Sequence, residues 1–111
     1  MRRKKVFFLI TMLLFAVQLT AANRKFTLVI DAGHGGTDHG APGAYSKEKD
    51  LTLKYALAFG KYVEDNCPDV RVIYTRKTDV FVTLAGRADI ANKANADLFL
   101  SFHINAVTGS R

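Results

Sequence analysis

Short, nearly continuous apolar runs alternate with stretches of helical spacing along this chain, and that order predicts a β-α-β-α-β succession. Phe26 to Asp31 (FTLVID), Val70 to Thr75 (VRVIYT) and Leu98 to His103 (LFLSFH) are rich in β-branched and aromatic residues and bounded by polar residues or glycine, the pattern of buried strands. Between the first two, Leu51, Tyr55, Phe59, Tyr62 and Val63 recur at helical spacing, with Lys54, Lys61, Glu64 and Asp65 off that stripe. Pro68 ends this helix, because proline disfavours helical geometry in the residue before it. Thr83 caps a shorter second helix whose Leu84, Ala88 and Ala91 form a narrow face of mostly small residues, suited to lying close to a sheet. Strands alternating with helices imply an α/β fold: a mostly parallel sheet with helices on its faces, joined by right-handed crossovers.

The first 22 residues follow another pattern. Arg2, Arg3, Lys4 and Lys5 precede an apolar run from Val6 to Val17, and Thr20, Ala21 and Ala22 are small, the layout of a secretory signal peptide. Gln18 and Thr20 interrupt the run short of the ~20 apolar residues that a membrane span needs. The expected organisation is a signal peptide over 1–22 and a domain over 23–111, exported to the periplasm or secreted, with no stable membrane insertion after cleavage.

This division changes the meaning of the charge. The whole chain carries +6, but without the four N-terminal cations 12 Lys and Arg face 10 Asp and Glu, scattered rather than clustered. A nucleic-acid partner would require a basic stripe, and that class is set aside. Cys67 is the only cysteine, so no internal disulfide can form, and its place in the turn DNCPDV offers no neighbouring base to make it a nucleophile.

Candidate chemistry gathers at the carboxyl ends of the strands, where parallel sheets bind ligands. His34 lies three residues past the first strand and His103 closes the third. The intervening loop holds Gly33, Gly35, Gly36, Gly40 and Gly43, which lets it turn tightly and return Glu48, in the first turn of the next helix, to the same edge. Two imidazoles and one carboxylate match the three-ligand sets of catalytic zinc sites, which leave a fourth position for water. Singly, each residue has a plainer explanation: a histidine in a tight turn, a core histidine, and an acid at a helix N-terminus. Their conjunction on one edge points to zinc, a reading that rests equally on the resemblance of the surrounding sequence blocks to a known family.

Around this trio, Asp31 or Ser101 is expected to orient a ligand imidazole through its second nitrogen. Asp38 is expected to form a turn and His39 to be exposed. Arg76 is expected to pair with Asp79, and Arg87 with Asp89 or Asp97, as structural contacts. The glycine-rich loop lacks the spacing of a phosphate cradle.

Four ordered blocks, DAGHGGTDHGA, KEKDLTL, VIYTRKTD and LAGRADIANKANADLFLSFHINA, resemble the zinc-dependent N-acetylmuramoyl-L-alanine amidases of the type 3, AmiC-like family of cell-wall hydrolases. The resemblance implies that His34, Glu48 and His103 are zinc ligands and that peptidoglycan is the substrate, cut between N-acetylmuramic acid and L-alanine by water activated at zinc. It also implies a further, water-activating glutamate near the domain's carboxyl end. No carboxylate follows Asp97, and Glu64, on the polar side of the first helix, is a poor substitute. Residues 23–111 are therefore read as the N-terminal part of an amidase catalytic domain, an incomplete α/β unit of low activity with an exposed sheet edge. The alternative is a wall-binding remnant that retains zinc without catalysis.

Overall fold

The computed structural model describes residues 24–43 and 45–105, so the segment read as a signal peptide lies outside the described residues. Strand β1 (Phe26–Ala32) is followed by helix α1 (Glu48–Asn66), strand β2 (Val70–Tyr74), helix α2 (Leu84–Lys93) and strand β3 (Leu98–Phe102). All strand pairs are parallel and the sheet order is β2-β1-β3. The α/β class and the element order match the pattern of apolar positions.

As the central strand, β1 is buried on both faces from Thr27 to Ala32. Its register aligns Leu28 with Val72 and Leu98, and Ile30 with Tyr74 and Leu100. Side chains alternate across a sheet, so Leu28, Ile30 and Ala32 share one face and Val29 and Asp31 the other. The first face packs on α1, where Ala56 and Val63 join Leu28, Ile30 and Ala32 in the core.

The packing face of α1 differs from the stripe of large residues that periodicity selects. Thr52, Ala56, Gly60 and Val63 are buried, whereas Tyr55 and Tyr62 are 50% and 66% exposed. Small residues win this face because the helix lies close to the sheet: a Cβ added at Gly60 would stand 1.9 Å from the Tyr74 hydroxyl. Phe59 keeps one edge in contact, its ring 5.7 Å from that of Phe102. Cys67 follows the helix end, half-buried against the core.

Helix α2 starts where Thr83 was expected to cap it, the hydroxyl accepting from the Gly86 amide at 2.9 Å. Its contact with the sheet is not the Leu84–Ala88–Ala91 face. Leu84 is 83% exposed, and the helix's buried residue is Arg87. The guanidinium is long enough to reach Asp31 on the second face of the sheet, which holds the helix off and leaves a cleft lined by Leu84, Ala88, Ala91, Phe99 and Ser101. Among the described residues β3 pairs only with β1, and Leu98 and Phe99 are exposed, as anticipated for an open sheet edge.

Candidate metal centre

Three segments deliver the expected trio to one point. One donor atom from each of His34, Glu48 and His103 lies within 4.8 Å of the others. His34 Nε2 is 3.1 Å and His103 Nδ1 3.6 Å from Glu48 Oε1, and the two imidazoles meet edge to face with centroids 5.1 Å apart. Two nitrogen donors and a carboxylate, drawn together with part of their surface open, form a cluster able to coordinate a metal ion and chemically suited to zinc.

The loop between β1 and α1 achieves this by unusual backbone geometry. His34 itself has φ +65°, in the left-handed region that side chains other than glycine rarely occupy, and Gly35, Gly36 and Gly40 are also positive. Gly40 is required where it stands, since a Cβ there would lie 2.7 Å from both Glu48 Oε2 and the His34 ring. The loop also caps α1. Glu48 N donates to Ala41 O and Lys49 N to His39 O, while Asp50 N and Leu51 N reach Lys47 O, so the free amides of the first turn are met without a capping side chain.

Glu48 is held as a carboxylate although it is almost completely buried. Burial by itself would push its pKa up; the amides of Ala41 and Ile104, at 2.8 Å each, together with His34, outweigh that and keep the group below its ordinary value. The Ile104 amide follows directly on His103, so Glu48 ties the end of β3 to the start of α1 through backbone as well as through the two imidazoles.

The partner that orients His34 is Asp38. Its Oδ2 lies 2.9 Å from His34 Nδ1, leaving Nε2 to face Glu48, and its Oδ1 accepts from the Gly40 amide, so the residue expected only to form a turn also fixes the ring. Neither Asp31 nor Ser101 takes the expected role. Asp31 is buried and accepts from Thr75 Oγ1 at 2.7 Å, Arg87 Nη1 at 2.8 Å and Ser101 Oγ at 2.6 Å. Ser101 is thereby spent on Asp31 rather than on an imidazole. His39 is exposed, as expected.

The basic residues also pair differently from the expectation. Arg76 is buried and donates to the carbonyls of Ala32, Gly33, Thr78 and Lys49, while Asp79 pairs with Lys49 Nζ at 2.7 Å and accepts from the Gly36 amide. Arg87 pairs with Asp31 rather than with Asp89 or Asp97. Asp97 instead accepts from the Thr27 amide and pairs with Arg24. In each case a buried backbone carbonyl or carboxylate captured the cation that sequence proximity had assigned to a surface partner. Glu64 is exposed on α1 and accepts from the Tyr74 hydroxyl.

Asp31 gives the stability of the fold a pH dependence. Burial raises its pKa, but the bonds from Ser101, Arg87 and Thr75 prevail and set it below the ordinary 3.8. A carboxyl depressed by folding contributes stability that is complete above its unfolded pKa and lost as pH falls through its folded one. Urea midpoints measured between pH 7 and pH 2 should therefore drop below about pH 4, and drop less steeply in Asp31→Asn.

A cleft of about 320 Å3 opens beside the trio, with His34, Asp38 and His103 on one side and Phe81, Val82 and Leu84 on the other. Fold and donor set together define a parallel α/β unit with a His–Glu–His cluster able to hold a metal ion at the carboxyl edge of its sheet. The chain belongs to the N-acetylmuramoyl-L-alanine amidase family, whose model matches residues 28–111. It is 41% identical over 83 residues to the sporulation-specific N-acetylmuramoyl-L-alanine amidase of Bacillus subtilis, a match spanning 75% of this chain and 32% of that protein. To the endolysin of Bacillus phage SPP1 it is 48% identical over 82 residues, 74% of this chain and 30% of the relative. Among solved structures, the amidase AmiC2 of Nostoc punctiforme superimposes with a TM-score of 0.71 at 41% identity, covering 77% of this chain and 47% of that one. The chain thus spans about a third of the length of these curated relatives.

Proposed function

We propose that His34, Glu48 and His103 are the ligands of a zinc ion and that this centre belongs to a peptidoglycan hydrolase cutting the amide bond between N-acetylmuramic acid and L-alanine. The observation that carries the reading is the convergence of three side chains from separate elements around a buried carboxylate, in a chain of the amidase family. Zinc bound there supplies a Lewis acid and makes water a stronger nucleophile near neutral pH. The chain's own residues supply the rest. Asp38 fixes the His34 ring, Glu48 brings negative charge shielded from solvent, and Phe81, Val82 and Leu84 give an extended substrate an apolar wall beside the donors.

Export accompanies this reading, on the strength of Arg2 to Lys5 and the apolar run behind them. Among the described residues no helix is long and apolar enough to cross a membrane.

One observation favours a second reading, a zinc-retaining module that binds cell wall without hydrolysing it. The acids at the cleft and cluster are Asp31, Asp38 and Glu48, and each is committed to partners already named, leaving none of them free to move a proton. A positioned general base or acid contributes about 10² to 10⁴-fold in rate. Zinc-loaded chain, alone and fused to the carboxyl-terminal segment of the Bacillus subtilis relative, should be incubated with purified peptidoglycan and newly freed L-alanine amino groups counted. Release by the fusion supports the hydrolase. Inertness of both, with zinc and wall binding intact, favours the binding module.

A further inference from the structure

The geometry points to Arg87 as a positioning residue for the metal centre, one that holds His34 in the backbone conformation that brings its ring to Glu48. The inference rests on the zinc reading above and adds a residue outside the ligand set. His34 is a non-glycine residue at φ +65°, a conformation that persists only where surrounding structure imposes it. Beside the Gly35–Asp38 backbone bonds and the Asp38 carboxylate, a buried guanidinium grips this turn. Arg87 is 4% exposed; its Nη2 donates to the His34 carbonyl at 2.7 Å, and its Nη1 to the Ala32 carbonyl and to Asp31 Oδ1 at 2.8 Å.

The same contact reaches the other imidazole. Asp31, gripped by Arg87, accepts from Ser101, which stands two residues before His103 on β3. Arg87 Nε donates to the Val82 carbonyl, so the guanidinium also fixes the segment that forms the far wall of the cleft. One planar fork therefore joins the His34 turn, the strand leading to His103 and the loop opposite them. A lysine, with one point-like ammonium, cannot span these acceptors in the same plane.

The test is zinc affinity, measured by competition with a chromophoric chelator on the full chain, for wild type, Arg87→Lys and the double variant Asp31→Asn/Arg87→Met. The double variant removes both charges of the buried pair and so leaves neither buried and unpaired, and it carries the test if Arg87→Lys does not fold. Circular dichroism and urea melts of the metal-free proteins establish folding independently. Cobalt(II) spectra of the loaded proteins report ligand geometry, which a merely structural role would leave unmoved. The expected result is one zinc per wild-type chain, affinity weaker by ~10 to 100-fold in a folded variant, the usual range for loss of a group supporting a ligand, and altered cobalt bands. Affinity within about twofold of wild type and unchanged cobalt bands in a folded variant overturn the role of Arg87 while leaving the zinc site standing. A wild-type chain that takes up no zinc overturns both.

Discussion

Glu48→Ala is expected to remove zinc binding almost entirely. Structural zinc sites contribute ~10–16 kcal/mol through four ligands, so one ligand carries about 3 kcal/mol, or ~100-fold in affinity as a lower bound. The bound is low because Glu48 does more than face the imidazoles: its two oxygens also accept from Ala41 and Ile104, and their loss frees the loop that carries His34 and the strand end that carries His103. Glu48→Gln separates the two effects poorly, since its amide NH2 must face one of those backbone donors. The variant should lose zinc and also loosen the β1–α1 loop. Equilibrium dialysis gives the stoichiometry, and hydrogen exchange over residues 33–47 gives the loosening. Retention of near-wild-type affinity by Glu48→Ala would remove the carboxylate from the ligand set.

Gly33→Ala should uncouple metal binding from stability. Gly33 does not have a positive φ, so alanine meets no backbone penalty there, but its Cβ would lie 2.4 Å from His103 Cε1. The neighbour that must give way is a ring whose side chain is 44% exposed, and it can swing toward solvent at little expense to the core. The expected outcome is a thermal midpoint close to wild type with zinc affinity reduced by about 10 to 100-fold, the scale seen when a ligand loses its orientation. Calorimetric melts of the metal-free chain beside zinc titrations provide the comparison. A large loss of stability with zinc affinity retained would mean that His103 is fixed by packing and is not poised as a ligand.

The contrast between Gly33 and Glu48 on one side and the buried arginines on the other shows what could be read from residue order. Strands β1, β2 and β3 were legible because parallel strands form short β-branched runs with polar or glycine borders; strand direction placed His34 and His103 on one edge, and the glycine-rich loop was needed to bring Glu48 to it. The packing face of α1 was hidden because Thr52, Ala56 and Gly60 score weakly for hydropathy, while Tyr55 and Tyr62 score strongly and lie outside. Closeness of helix to sheet, a tertiary quantity, decided which residues were buried.

Arg76, Arg87 and Lys49 were illegible for a related reason. Cations are read as surface groups, yet the tight loop turns several carbonyls inward at the end of β1, and a buried carbonyl needs a donor. Long basic side chains supply donors from a distance. Nothing in the spacing of α2 marks Arg87 as its buried residue, since the apolar positions select the Leu84–Ala88–Ala91 face instead. The role of Asp38 was missed although it lies four residues after His34, because whether a loop acid turns back onto a ring depends on backbone angles that spacing does not specify.

The central claim is that two imidazoles and one carboxylate share a single metal ion. X-ray absorption at the zinc edge of the loaded chain tests it most directly. The account predicts a nearest shell of nitrogen and oxygen at ~2.0–2.2 Å with the outer-shell scattering of two imidazoles. A sulfur shell near ~2.3 Å, or scattering from fewer than two imidazoles, would contradict it.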